Sequence, residues 1–321
     1  MKILLTFLTI FVFVYTVNAK VWRVNNNDST ADFADIVDAH DDVNVSPGDT
    51  LMVEGSNIAY TSFTCTKALT IIGPGYLLTE NYESAHILPA TIRDIIFESG
   101  SEGSSVYGIS FKVSDGKPII FADNINIERC YINGSLPIKN AKNVRIVNNN
   151  MHSVGDYYNG TGPFSDVYIN NNIIRSKMSV SAGSNIATFN NNILLGDGYG
   201  FHAEYFRNNI IWQNDANMNV TTGYSEYNIA SNNILSGNNI NVDNIEDLFV
   251  GGDSPDAKYK LAEGSAATGA GYNGVDCGIF GGDDPYVISG LPPVPVITEL
   301  SVDDATSPEE GLKVKITVHS Y

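Results

Sequence analysis

Asp156, Asp197 and Asp215 sit in turn-rich stretches spaced along the middle of the chain, with Arg175 and Lys177 between the first two and His202 just beyond the second. Two carboxylates flanking a bound sugar hydrolyse a glycosidic bond, one as acid and the other as base. Carboxylates holding Ca2+ against a uronate, with Arg175 or Lys177 removing a proton, would instead make a lyase. His202 is a further candidate general base. Each group also has an ordinary alternative. Gly196–Asp197–Gly198 is a good turn by composition, an Arg or Lys near an Asp can be a weak surface pair, and a lone His at a strand end is commonly structural.

Such chemistry requires elements that repeat and stack. The template apolar-x-Asn-Asn-x-apolar fits Ile146–Met151, Ile169–Ile174, Phe189–Leu194, Phe206–Ile211 and, with a small first residue, Ala230–Leu235. Val106–Phe111 and Ile127–Ile132 keep the apolar frame without the Asn pair. The position of the second Asn is then Ile109, Cys130, Asn149, Asn172, Asn192, Asn209 and Asn233, in steps of 17 to 24 residues. Between these points, short β-rich runs alternate with polar turns, so one repeat reads as one coil of a solenoid. Strands this short cannot bury a face alone; coils stacked at roughly 4.8 Å pair with their neighbours. Asn tolerates the backbone angles of a tight bend, and its amide both donates and accepts. Inward-facing Asn149, Asn172, Asn192, Asn209 and Asn233 are therefore expected to form a structural ladder.

These coils resemble the right-handed parallel β-helix superfamily of pectate lyases, polygalacturonases and related secreted proteins, most closely secreted repeat proteins of the Bacteroidetes type. Trp22–Tyr60 resembles their opening strand, capping helix and first coil, and Tyr259–Leu300 their closing segment. Within the first, "DFADIVDAH" places Phe33, Ile36, Val37 and Ala39 largely on one helical face, suited to closing an apolar column. The resemblance implies an all-β, right-handed parallel β-helix with a helical N-terminal cap. It also implies a role with carbohydrate at the cell surface, by binding or by lyase or hydrolase action. The paired-Asp and Gly-His-Gly motifs of polygalacturonases are absent, and a non-catalytic structural solenoid is the alternative.

The strands Pro118–Phe121, Leu136–Lys139, Asp156–Asn159, Met178–Ser181, Tyr199–His202 and Met218–Thr221 are assigned to one sheet, which in the resembled enzymes floors the cleft. Alternation gives it an outward stripe of Lys139, Tyr157, Asn159, Ser179, Ser181, His202, Asn219 and Thr221; a slip of one residue would invert the face. Tyr157, Asn159, Ser179 and Asn219 are candidate sugar contacts, Trp212 a candidate stacking ring, and the long turn 77–93 a candidate cleft wall.

The whole chain has 321 residues and a formal charge of −18. That balance leaves no basic stripe for nucleic acid or anionic lipid. Residues 1–19 read as a secretory signal peptide, cleaved before Lys20, and no second long apolar run follows. The expected product is secreted (extracellular, periplasmic or at the cell surface), without a membrane span, and is treated as a monomer. Residues 20–284 form the solenoid and 285–321 a Pro-rich extended tail. Cys65, Cys130 and Cys277 include no metal-binding spacing and allow at most one internal disulfide. Cys130, at a ladder position, reads as a buried thiol.

Overall fold

The computed structural model describes residues 19–81, 84–155, 162–180, 183–196, 199–212, 218–231, 237–302 and 311–320. The chain winds into a parallel β-helix of about eight turns. Its first sheet has eleven strands, running from Val21–Val24 through Thr50–Val53 and Ser105–Tyr107 to Tyr199–Arg207 and Met218–Glu226. The second has eight, from Ser110–Phe111 to Ile240–Val242. A third joins Phe63–Cys65, Asp94–Phe97 and Lys117–Ile120, and a bridge from Ile120 to Ile138 extends it.

Register explains the core. Leu51, Ile71, Val106, Ile127, Ile146, Ile169, Phe189 and Phe206 are direct partners on successive strands of the first sheet, and all are buried. Burying each such side chain stabilises the fold by about 1.5–3 kcal/mol, and none has a face to pack against until the next coil arrives. At the N-terminal end the short helix Ile36–Asp41 closes the column with Ile36 and Ala39 buried, its first turn capped by the Asp35 carboxylate. Phe33 and Val37 pack against the same core.

The Asn bend lies between the first and second sheets. Asn172 Oδ1 accepts from the Asn149 backbone N–H at 2.9 Å and from Asn149 Nδ2 at 3.1 Å, and Asn192, Asn209 and Asn228 repeat the pattern. The ladder then continues to Asn239. On the coil where Asn233 was expected, the ladder position is held by Asn228. Ile229–Ala230 pairs with Ile210–Ile211, which fixes this register, and Asn233 lies outside the described residues.

The residue before each bend position up to Asn228 has left-handed backbone angles: Gly108, Arg129, Asn148, Asn171, Asn191, Asn208 and Tyr227 all have positive φ. The outer Asn side chains of this set grip a closing segment that runs back along the bend. Asn171 Nδ2 donates to Ile279 O and Gly281 O, Asn191 Nδ2 to Asp276 O and Gly278 O, and Asn208 Oδ1 accepts from the Tyr272 N–H. The segment covers the outer face of the second sheet, where Ile173, Ile193, Ile210 and Ile229 pack with Leu248, Phe249, Tyr259, Cys277, Ile279 and Tyr286. It ends on the early coils, where Tyr286 meets Tyr76 hydroxyl to hydroxyl and Ser289 O accepts from the Tyr76 N–H. Beyond it, Val296–Val302 and Val314–His319 form an antiparallel hairpin with most side chains exposed.

The described part of the turn 77–93 takes part in this closure. Its helical turn Leu78–Asn81 packs on Ile288–Gly290, and the Ala85 N–H donates to Ile297 O.

Candidate functional site

Among the described residues, those expected to do chemistry are not all gathered in one place. Asp156, Asp197, Asp215, Tyr157, Asn159 and Ser181 lie outside the described residues; Ser179 is in a strand paired with Tyr199–Gly200, and its side chain is not described. Lys177 is exposed just before that strand. His202, Asn219 and Thr221 are exposed on adjoining strands, and His202 Nδ1 is 3.2 Å from Thr221 Oγ1. Their neighbours Phe201 and Ala203 are buried, so the outward assignment of His202 matches the alternation.

Arg175 and Trp212 belong elsewhere. Arg175 follows outward-facing Ile173 by two residues on the second sheet. Its guanidinium bonds Asn150 Oδ1 and Ile132 O, each at 2.7 Å, and lies 4.3 Å over the Tyr131 ring. Burial pulls its pKa down, opposed by the neighbouring tyrosines Tyr131, Tyr76 and Tyr286. A guanidinium so committed to packing is a poor base for substrate on another sheet. Trp212, again two residues after an outward Ile, stacks on Phe249 at 5.5 Å and meets Tyr259 edge-on, inside the second apolar cluster. It packs there and is not offered to a sugar.

The thiols are structural. All three cysteines are free and buried. Burial pushes the Cys130 and Cys277 thiols up to about 12, which keeps them protonated and non-nucleophilic at neutral pH.

Sequence reasoning overlooked the part of the first sheet's outward face that lies next to the Asn bend. One column there is Arg145, Tyr168, Thr188, Tyr205 and Tyr224, in register from strand to strand. Two residues further along each strand, Val147, Asn170, Asn190, Arg207 and Glu226 form a second column. Asn170 Oδ1 accepts from the Asn190 N–H at 2.9 Å, and Asn190 Oδ1 from the Arg207 N–H at 3.1 Å, making a short outer ladder. The rings of Tyr205 and Tyr224 stack at 5.2 Å. Arg207 lies over Tyr205, Tyr224 and Tyr272 at 4.7, 5.6 and 4.2 Å and is ion-paired to Glu226.

Between this second column and the closing segment is a groove of about 240 Å³, lined by Asn170, Asn171, Asn190, Asn191, Asn208, Tyr272, Asn273, Val275, Gly282, Asp283 and Asp284. Asn171, Asn191 and Asn208 are occupied in holding the segment. Asn190 Nδ2, by contrast, donates to no described residue, while Asp283 and Asp284 are exposed at the groove and Tyr272 is 40% exposed. The groove thus offers fixed donors and acceptors beside aromatic surface on a rigid backbone, a combination that suits hydroxyl-rich ligands. The signal in the sequence was the first Asn of "NNN" at Asn170–Asn172 and Asn190–Asn192. One Asn in each triplet faces outward, the next grips the closing segment, and the last enters the ladder.

Among the described residues no group of three or more His, Cys, Asp or Glu is placed to hold a metal ion, and no helix is long and apolar enough to cross a membrane. Comparison with protein-family models, curated proteins and solved structures finds no match for this chain.

Proposed function

We propose that this protein is an exported β-helix that binds polysaccharide in the groove between the first sheet and the closing segment. The observation that carries the proposal is the pairing of an outward Asn column with Tyr272 and two exposed aspartates across one groove. Its walls are held by the ladder on one side and by the grip of Asn171 and Asn191 on the other, so little ordering is required when a ligand binds. The N-terminal leader and the likeness of the coils to secreted β-helix repeat proteins support placement outside the cytoplasm. The stretch of the first sheet that bears His202, with Lys177 just before its strand Met178–Ser179, is the competing location for a carbohydrate contact.

The test is affinity electrophoresis and calorimetry of residues 20–321 against a panel of neutral and acidic polysaccharides. Binding that weakens in Tyr272→Ala and Asn190→Ala, with melting unchanged, supports the groove. Binding that falls in His202→Ala and persists in Tyr272→Ala moves the site to the His202 end of the same strands. A complete lack of binding across the panel removes the proposal and leaves a structural rod.

A further inference from the structure

Taking the groove as the binding site, we infer that its ligand is an uncharged glycan lying parallel to the solenoid axis, and that Asp283 and Asp284 exclude uronates. The inference rests on the binding reading above and adds the ligand class.

Direction follows from the columns. Asn170, Asn190 and Arg207 are register partners on three successive coils, so equivalent groups recur roughly every 4.8 Å along the axis. A sugar ring in an extended chain advances by a comparable distance. A glycan running with the axis therefore presents successive rings to successive coils, whereas one running across it meets the groove only once. The closing segment runs the same way and makes a continuous second wall, from Tyr272 beside Asn208 to Asp284 beside Arg145.

Arg207 is neutralised by Glu226, and Arg145 faces Asp284 with Nη2 to Oδ2 at 3.4 Å. Among the described residues Asp283 has no ion-pair partner, so the groove carries surplus negative charge. The whole chain, at −18, adds to the same field. A neutral hydroxyl donates to Asp283, Asp284 or an Asn Oδ1 and accepts from Asn190 Nδ2. A uronate carboxylate would meet acceptors of its own sign, and the cation at the end of the groove, Arg145, already faces Asp284. Exclusion of like charge is an effective route to specificity because the repulsion acts only against the wrong ligand.

The experiment titrates residues 20–321 with neutral α- and β-linked oligosaccharides and with oligogalacturonate and alginate oligomers of matched length, at low and high salt, with and without Ca2+. The expected result is that a neutral glycan binds at least about tenfold more tightly than any uronate at low salt, a gap that shrinks as salt screens the repulsion. Asp283→Asn combined with Asp284→Asn is expected to narrow the neutral-to-uronate affinity ratio at low salt from about tenfold to about threefold or less, read as a ratio because both kinds of glycan meet these two positions. Uronate binding equal to or tighter than neutral binding, or uronate binding that appears on adding Ca2+, overturns the inference while the binding proposal stands. An unchanged preference in the double variant overturns the role of the two aspartates. No binding to any glycan removes both.

Discussion

Asn191 and Asn192 are consecutive residues with opposite allegiances. Asn192 is fully buried and bonds Ile169 O and Asn209 Oδ1 inside the bend, whereas Asn191, at φ 57°, reaches outward to Asp276 O and Gly278 O. Their substitutions should therefore fail differently. Asn192→Leu strands the Asn172 N–H and the Ile169 carbonyl, each costing about 1–3 kcal/mol, so global unfolding by denaturant should shift by about 2 kcal/mol or more. Asn191→Gly keeps the left-handed backbone and loses the grip together with the bond that Asn191 Oδ1 accepts from Asn208 Nδ2. Its expected signature is faster hydrogen exchange in 276–281 with little change in the melting of the coils. Equal global losses in both variants would contradict the division of labour.

Cys130 ends the ladder with a thiol. Its backbone N–H donates to Asn149 Oδ1 at 2.9 Å, and Sγ lies 3.2 Å from Glu128 O. In Cys130→Asn the new carboxamide should reach the Val106 carbonyl as Asn149 reaches Ile127 O, extending the ladder by one coil. Stability is expected to be unchanged or higher by about 1 kcal/mol, the net worth of a buried hydrogen bond. Cys130→Ala should be less stable than the parent by about 1–3 kcal/mol. A folded protein whose Cys130 reacts rapidly with a thiol reagent at pH 7 would contradict the burial argument.

Alkaline pH should unfold the protein by linkage. Burial raises Tyr60 and Tyr259 from 10.0 to about 12 and the thiols of Cys130 and Cys277 from 9.0 to about 12. For an acid whose folded pKa exceeds its unfolded pKa, the unfolded chain releases its proton first. Stability is then complete below the unfolded value and lost as pH rises towards the folded one. The midpoint of thermal unfolding should hold to about pH 9 and fall between pH 9 and 12. Tyrosinate absorbance should appear in part only on unfolding. Full tyrosinate absorbance at pH 11 in protein that remains folded would be the contrary result.

The groove predicts that binding and stability separate. Tyr272→Ala removes a ring that Arg207 and Tyr227 touch. It should weaken glycan binding about tenfold or more, as loss of an aromatic contact of 1–2 kcal/mol would. The coils do not depend on it, so melting should move little, and isothermal titration beside a melting scan checks both.

Much of the architecture was legible because a parallel β-helix writes its bend into every coil. Asn149, Asn172, Asn192 and Asn209 recur with apolar partners at fixed offsets, and those offsets are the core column. The last coil was misread because the bend needs two different things: a left-handed residue and then a carboxamide. Tyr227 meets the first need at φ 60° without being Asn, so "YN" carried the ladder while "NN" five residues later drew the eye. Arg175 and Trp212 were misplaced for a related reason. Both stand two residues beyond an outward Ile, as does Leu195, and that column is covered by the closing segment. Which sheet face a distant segment covers is a long-range fact, and local alternation does not contain it.

Tyr76 and Tyr286 are 210 positions apart and share a buried hydrogen bond, with Asp256 accepting from Tyr286 and from the Ser289 N–H. A solenoid is ordinarily a one-dimensional stack that frays from whichever end is weaker. Here the segment that covers the last coils is moored to the early ones, so the stack becomes a closed circuit. The early coils cannot peel away without casting off the segment that shields Ile210 and Ile229, and the late coils cannot loosen without pulling on Tyr76. During synthesis the coils are made long before Tyr286 exists. The chain can therefore travel as an unmoored thread, and its two ends acquire a common fate only when the final residues of the segment arrive.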